Sequence, residues 1–155
     1  MLDRPRYEKI AEREGDMAAS LSMEEDVKPL AEACIQMGAK TVLIKCGTSG
    51  MYYKTADKPA VQQIGSRLKL DIGKWTGVSG IQPCFRAECV RSGTGAGDTS
   101  IAAFLMAVLQ DRTPAECAAL AAAQGACAVT SYDALGGLKP MKWLEDKIAS
   151  GWNTI

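Results

Sequence analysis

The chain has 155 residues, the size of one domain that can bury a core of its own. Lys plus Arg and Asp plus Glu each total 18, so no basic excess draws nucleic acid or a membrane surface, and neither is expected as a partner. Histidine is absent, which excludes Ser-His-Asp and Cys-His catalysis and imidazole-held metal and leaves a carboxylate as the natural general base.

No apolar run approaches a membrane span, and the start "MLDRPRYEKIAERE" lacks the basic-then-apolar layout of a signal peptide. A cytoplasmic location is the expectation. Six cysteines, at 34, 46, 84, 89, 117 and 127, include no C-x-x-C pair and read as reduced small residues of the core.

Residues 1–20 read as an arm or connector, with one short helix around Arg6 to Arg13 and a break at Gly15-Asp16. Residues 21–155 read as the folded portion. Ser22 and Glu25 fit a capping box, and Val27, Leu30, Ala31, Cys34 and Ile35 recur on one face, which predicts a helix over about 23–37, bent or restarted at Pro29 and ended at Gly38. "KTVLIKCG" follows as a buried strand. "TSGMYYKT" turns the chain after Gly47 and gives a second strand from Met51 to Lys54. Between Ala56 and Gln82 the pattern is weak. "PCFRAECV" alternates as a strand, with Phe85, Ala87 and Cys89 on one face.

Ile101, Phe104, Leu105, Val108 and Leu109 then form an apolar stripe on a helix over about 98–110. Thr113, Pro114 and Glu116 supply an N-cap, a first-position proline and a capping-box acid for the next helix. That helix, "AECAALAAAQGACAVT", is small and apolar on nearly every side. On these residues alone a tight helix–helix contact explains it better than a flat ligand does. A last helix over 140–150 carries Met141, Leu144 and Ile148.

The stretch with chemical content is "GTGAGDTSIAAFL", residues 93–105. A helix N-terminus leaves its first N–H groups unpaired and partly positive, and Gly95, Ala96 and Gly97 would let a phosphate reach them. The glycine spacing fits neither a dinucleotide fingerprint nor a Walker A loop. Asp98 adds a carboxylate beside that anion pocket, suited to take a proton from a hydroxyl attacking phosphorus. The plainer reading, Asp98 as a cap on a tight turn, fits the spacing equally well.

"SGTGAGDTSIAAFL" resembles the second signature of the PfkB, or ribokinase-like, carbohydrate kinases. "VLIKCGTSGMYYKT" resembles that family's upstream strand–loop–strand, and "CAALAAAQGACAVTS" its downstream Ala-rich helix. The resemblance implies an α/β ribokinase-like fold, a mostly parallel sheet flanked by helices, here lacking the N-terminal half and the lid. It implies that Asp98 is the base that deprotonates a sugar hydroxyl, and that Gly95, Ala96 and Gly97 form the anion hole for the γ-phosphate of ATP. It places Gly47, Thr48 and Gly50 beside the nucleotide phosphates and ribose, and Ala122, Gly125 and Ala126 around the adenine. Magnesium would come with the ATP.

Complete members of that family are about twice as long, and the resemblance covers only their C-terminal half. The family's Asn-x-x-Glu element has no counterpart, since the only Asn is Asn153. Ser92 stands where many members have an Asp that helps hold a monovalent cation, so potassium is not assumed. Lys45 stands where Thr is frequent; it reads first as a strand-end charge, with a phosphate contact as the alternative. The expectation is the ATP-binding, catalytic-base portion of a sugar kinase, inactive alone. The alternative is a non-catalytic nucleotide- or partner-binding module, able to pair with itself through surface left bare by the missing half.

Overall fold

The structure is a computed structural model that describes residues 21–155 together with Arg4, Pro5 and Glu8. The helix and break expected within 1–20 lie outside the described residues.

The chain enters through a π-helical turn, Met23–Val27, and continues as α1, Lys28–Gln36. Ser22 Oγ accepts from the Glu25 N–H at 3.2 Å, as a cap should. The return arm of the expected capping box is made by Asp26, whose Oδ2 accepts from the Ser22 N–H at 2.9 Å. The wider turn, in which the Val27 N–H reaches the Ser22 carbonyl, brings round the acid one residue later. Pro29 sits in the first turn of α1, where its missing N–H costs nothing.

Three strands follow, β1 at Thr41–Lys45, β2 at Met51–Thr55 and β3 at Ser79–Gln82, in the order β1-β2-β3. Both pairings are antiparallel, with Lys45 opposite Met51 and Met51 opposite Gln82. Among the described residues the expected mostly parallel sheet is therefore absent. The reason is local: the link from Lys45 to Met51 is a single 3₁₀ turn, Gly47–Ser49, too short for the crossover that parallel neighbours need.

The weakly patterned stretch between β2 and β3 holds two helices, α2 at Lys58–Leu68 and α3 at Ile72–Trp75. Each starts on an Asp cap: Asp57 accepts from the Ala60 N–H and Asp71 from the Gly73 N–H. The sequence signal that would have found α2 is Asp57 before Pro59, a cap-and-proline start like Thr113-Pro114 with the proline one residue later.

Residues 84–90 correct a second expectation. They make no strand beyond one bridge, Phe85 to Thr154. Phe85 is buried and stacks on Trp152 with ring centroids 4.9 Å apart, whereas Cys89 and Val90 are exposed. The alternation lasts only as long as the 152–155 tail runs beside it.

Helices α4 at Ala96–Leu109, α5 at Pro114–Ala128 and α6 at Met141–Ala149 complete the fold. The α5 capping box forms as read, with Thr113 and Glu116 bonded in both directions. On α4 the buried face is Ser100, Ala103, Phe104, Ala107 and Val108, so the expected stripe is rotated by one residue. Leu105 and Leu109 are 55% and 64% exposed. Small residues win the inner face because α4 lies close against α5: a Cβ on Gly125 would come 2.6 Å from Ser100 Oγ.

The sheet is covered on both sides. Val42, Cys46 and Tyr52 pack with Val27 and Ala31 of the first helical segment, and Met51 and Tyr53 join the larger core of α4, α5, Trp75 and Leu144. Helices on both faces explain why "VLI", residues 42–44, is continuously apolar.

Candidate functional site

A cavity of about 510 Å³ opens where the β1–β2 turn, the 84–90 segment, the start of α4 and the end of α5 meet. Of the residues singled out above, Gly47, Thr48, Gly50, Ala96, Gly97, Ala122, Gly125 and Ala126 border it. They come from three separate elements. Gly95 and Asp98 do not border it.

The β1–β2 turn is held rigidly. Gly50 has φ +92°, and a Cβ there would lie 2.3 Å from the Gln82 carbonyl oxygen, so only glycine fits. The Cys84 thiol donates to the Gly47 carbonyl at 3.1 Å and ties the second wall to this turn.

The α4 mouth is set from behind. Gly95 is the N-cap at φ +76°, and a Cβ there would meet Ala134 at 2.6 Å. Ala134 belongs to a loop that went unread in the sequence. Asp133 organises it, accepting from the Leu135 and Gly136 N–H groups and the Ser131 hydroxyl. The two backbone bonds hold its carboxyl below the usual carboxylate range. The signal available was an Asp three residues before Gly136-Gly137, a turn composition. From the other side, the Arg91 and Ser92 N–H groups donate to the Val129 carbonyl at the end of α5.

The expected anion hole needs one adjustment. The Ala96 N–H is taken by the Gly93 carbonyl at 3.2 Å. Among the described residues no hydrogen bond engages the Gly97 or Asp98 N–H, so these two amides are the available donors. Thr99 and Ser100 turn their hydroxyls back onto the Gly95 and Ala96 carbonyls, at 2.9 and 2.7 Å. Asp98 stands in the first turn of α4 and is exposed, beside the mouth and outside the cavity wall.

Ala122 and Ala126 are buried, and Gly125 faces both the cavity and Ser100. The helix–helix reading of this small-residue face is thus correct for Gly125, and the same residue still borders the cavity. Phe85, Val90 and Val129 add apolar lining that sequence reading missed. No spacing signal links them, because the tertiary fold alone brings them together.

A second cleft of about 520 Å³ lies between α3, α5 and α6. Its charges answer one another, as Arg112 does Glu145 and Glu116, and none of the residues expected at a nucleotide or sugar site reaches it. The cysteines divide by position: Cys46, Cys117 and Cys127 are buried, Cys34 and Cys84 half-buried, and Cys89 exposed, which corrects its reading as a core residue. Burial pushes the Cys117 thiol up to about 12.

Comparison with known proteins now bears on this geometry. The pattern of the pfkB family carbohydrate kinases matches residues 1–140. The chain belongs to the pfkB family. Among solved structures, this pfkB-family chain is similar to Arabidopsis thaliana ribokinase complexed with ribose and ATP, at 26% identity and TM-score 0.60, over 81% of this chain and 34% of that one. It is similar to Burkholderia thailandensis nucleoside kinase in complex with inosine, at 18% identity and TM-score 0.57, over 81% and 37%. It is also similar to Vibrio cholerae fructokinase with fructose, ADP and calcium ion bound, at 19% and TM-score 0.55, over 84% and 36%. The chain therefore spans little more than a third of the length of these structures. The family fold is shared, with kinases of sugars and nucleosides as its solved neighbours. Among the described residues no helix is long and apolar enough to cross a membrane.

Proposed function

We propose that this chain is the C-terminal, ATP-binding and catalytic-base portion of a sugar kinase that transfers the γ-phosphate of ATP to a sugar hydroxyl. The observation that carries this reading is the convergence of Gly47, Gly97 and Gly125, from three elements, on one cavity beside the unengaged Gly97 and Asp98 amides. The two amides receive the γ-phosphate oxygens, and the alanines and Gly125 of α5 give the flat adenine a wall without bulk.

Asp98 takes the proton of the sugar hydroxyl as that oxygen bonds to the γ-phosphorus. The bond from the γ-phosphorus to the β–γ bridging oxygen breaks, and ADP leaves with the electron pair. The exposure of Asp98 suits this role, since an acceptor sugar must reach it from outside the nucleotide cavity. Among the described residues no three His, Cys, Asp or Glu side chains form a metal-holding group, so magnesium would ride on phosphate oxygens and water. The acceptor class is a sugar or a sugar-bearing molecule such as a nucleoside.

The test is calorimetric titration with ATP and ADP, magnesium present, joined to turnover in a full-length form. Asp98→Asn should keep ATP affinity within about twofold and lose at least about 10²-fold in turnover. Gly97→Val should abolish binding by filling the approach to the amides. Unchanged turnover in Asp98→Asn removes it from the role of base, and absence of binding by the unaltered chain defeats the proposal.

One observation favours a second reading, a non-catalytic module that pairs with another surface. Leu105, Met106 and Leu109 leave an apolar face of α4 exposed, at 55%, 48% and 64%. A second copy of the chain would cover it.

A further inference from the structure

We infer that residues 152–155 are a strap that holds the outer wall of the cavity in place, with Trp152 as its positioning residue; the consequence for binding rests on the reading of the cavity as an ATP site. The 84–90 segment supplies Cys84, Phe85, Arg86, Ala87 and Val90 to the cavity, and the strap supplies Ile155. This wall lies in no helix and no strand of the sheet. Among the described residues, the backbone hydrogen bonds made by 84–90 both go to the strap. The Arg86 N–H donates to the Asn153 carbonyl at 2.8 Å, and the Ile155 N–H donates to the Cys84 carbonyl at 3.0 Å.

Trp152 fixes the strap at its base. Gly151, at φ +85°, follows the end of α6 and turns the chain back toward the wall. The Trp152 indole stacks on buried Phe85, donates its Nε1–H to the Arg86 carbonyl at 2.8 Å and packs against the main core. Trp143 meets it edge-on at 6.3 Å, and Lys147 Nζ lies 5.8 Å from its ring centre. One half-buried side chain thus grips both the ring of residue 85 and the backbone of residue 86. Asn153, Thr154 and Ile155 are exposed, and a segment so exposed keeps its place only where something ties it down.

Wall and strap therefore open as one unit. A unit with few buried contacts and solvent-exposed backbone bonds sits at the low end of local stability, so it opens while the α4–α5 core stays folded. A nucleotide in the cavity meets the whole wall only when the strap is seated. Binding and seating then favour each other by the same factor, because coupling between two equilibria is reciprocal. Phe85, Ala87 and Val90 make much of the wall apolar. The strap therefore acts on the part of the nucleotide that ATP and ADP share, and its effect is the same for both.

The experiment takes the full chain, Trp152→Ala and Trp152→Phe, titrates each with ATP and with ADP, magnesium present, and digests each with trypsin with and without ATP. Cutting after Arg86 and Arg91, both exposed, reports the wall, and cutting after Arg67, within α2, reports the rest of the fold. Trp152→Ala should bind both nucleotides about tenfold more weakly and be cut at the wall about tenfold faster, with cutting after Arg67 unchanged. Trp152→Phe keeps a ring on Phe85 and should recover most of both. Saturating ATP should slow cutting at the wall of the unaltered chain by about the same factor of ten. Unchanged nucleotide affinity in Trp152→Ala, or unchanged cutting at its wall, overturns the inference and leaves the cavity reading standing. Faster cutting after Arg67 to the same degree also overturns it, because the tryptophan would then be supporting the core as a whole. Failure of the unaltered chain to bind either nucleotide overturns both.

Discussion

Cys117 and Cys89 show how one residue type takes opposite chemical characters from position alone. Cys117 lies at the start of α5 with no solvent exposure, and burial holds its thiol near 12. At pH 8 its thiolate fraction is on the order of 10⁻⁴, so it is inert toward electrophiles. Cys89, at the exposed end of the 84–90 segment, has no such protection. A maleimide or disulfide reagent at pH 8 should label Cys89 within the first minutes, and Cys46, Cys117 and Cys127 only on unfolding. Mass mapping of the labelled peptides checks this, and early labelling of Cys117 would contradict its burial. At the same scale Asp98 was legible, because a carboxylate after Gly-Ala-Gly at a helix start is a local pattern. The position of the Lys45 ammonium was not, since nothing in the sequence near residue 45 signals that Gly97 leaves it a place.

The elements divide by whether their signals are local. The α5 start was legible to the residue because Thr113, Pro114 and Glu116 form a self-contained cap. That cap also gives a pH prediction. The Thr113 backbone N–H, then its hydroxyl, hold Glu116 below its ordinary value of 4.5. A group lowered in the folded state adds stability that is fully present above the unfolded value and is lost as pH falls through the folded one. Glu116→Gln should therefore lower Tm by about 2 °C at pH 7, and the difference should shrink as pH falls well below 4.5. Scanning calorimetry across that range checks it, and a constant difference at all pH values would assign the loss to packing. Helix α2 went unread because Gln62 and Gln63, exposed at its centre, blur the apolar period. The 84–90 strand was over-read for the opposite reason. Alternation was present, but an extended segment becomes a strand only when a neighbour supplies a full ladder of hydrogen bonds, and the 152–155 tail supplies one bridge.

At the scale of the molecule, the rotation of α4 by one residue is the consequential surprise. The α4–α5 contact selects small residues, Ser100, Ala103 and Ala107 against the alanines of α5, and turns Leu105 and Leu109 outward. If two copies meet through that face, sedimentation should show concentration-dependent association. Leu105→Glu with Leu109→Glu should abolish it and reduce binding of a hydrophobic dye, with little change in Tm. Association that survives both substitutions would place the contact elsewhere.

The sequence by itself determined the local devices: the caps at Ser22 and Thr113, the glycine-rich helix mouth with Asp98 behind it, the absence of histidine, and the family signature. These depend on neighbours a few residues apart, where backbone geometry and side-chain reach leave few alternatives. Tertiary structure alone decided which glycines and alanines share a wall, which face of α4 is buried, that β3 returns past α2 and α3 to pair with β2, and that the Lys45 ammonium stands over Gly97. Those outcomes come from packing between segments distant in sequence, where close contact chooses among faces that periodicity leaves equivalent.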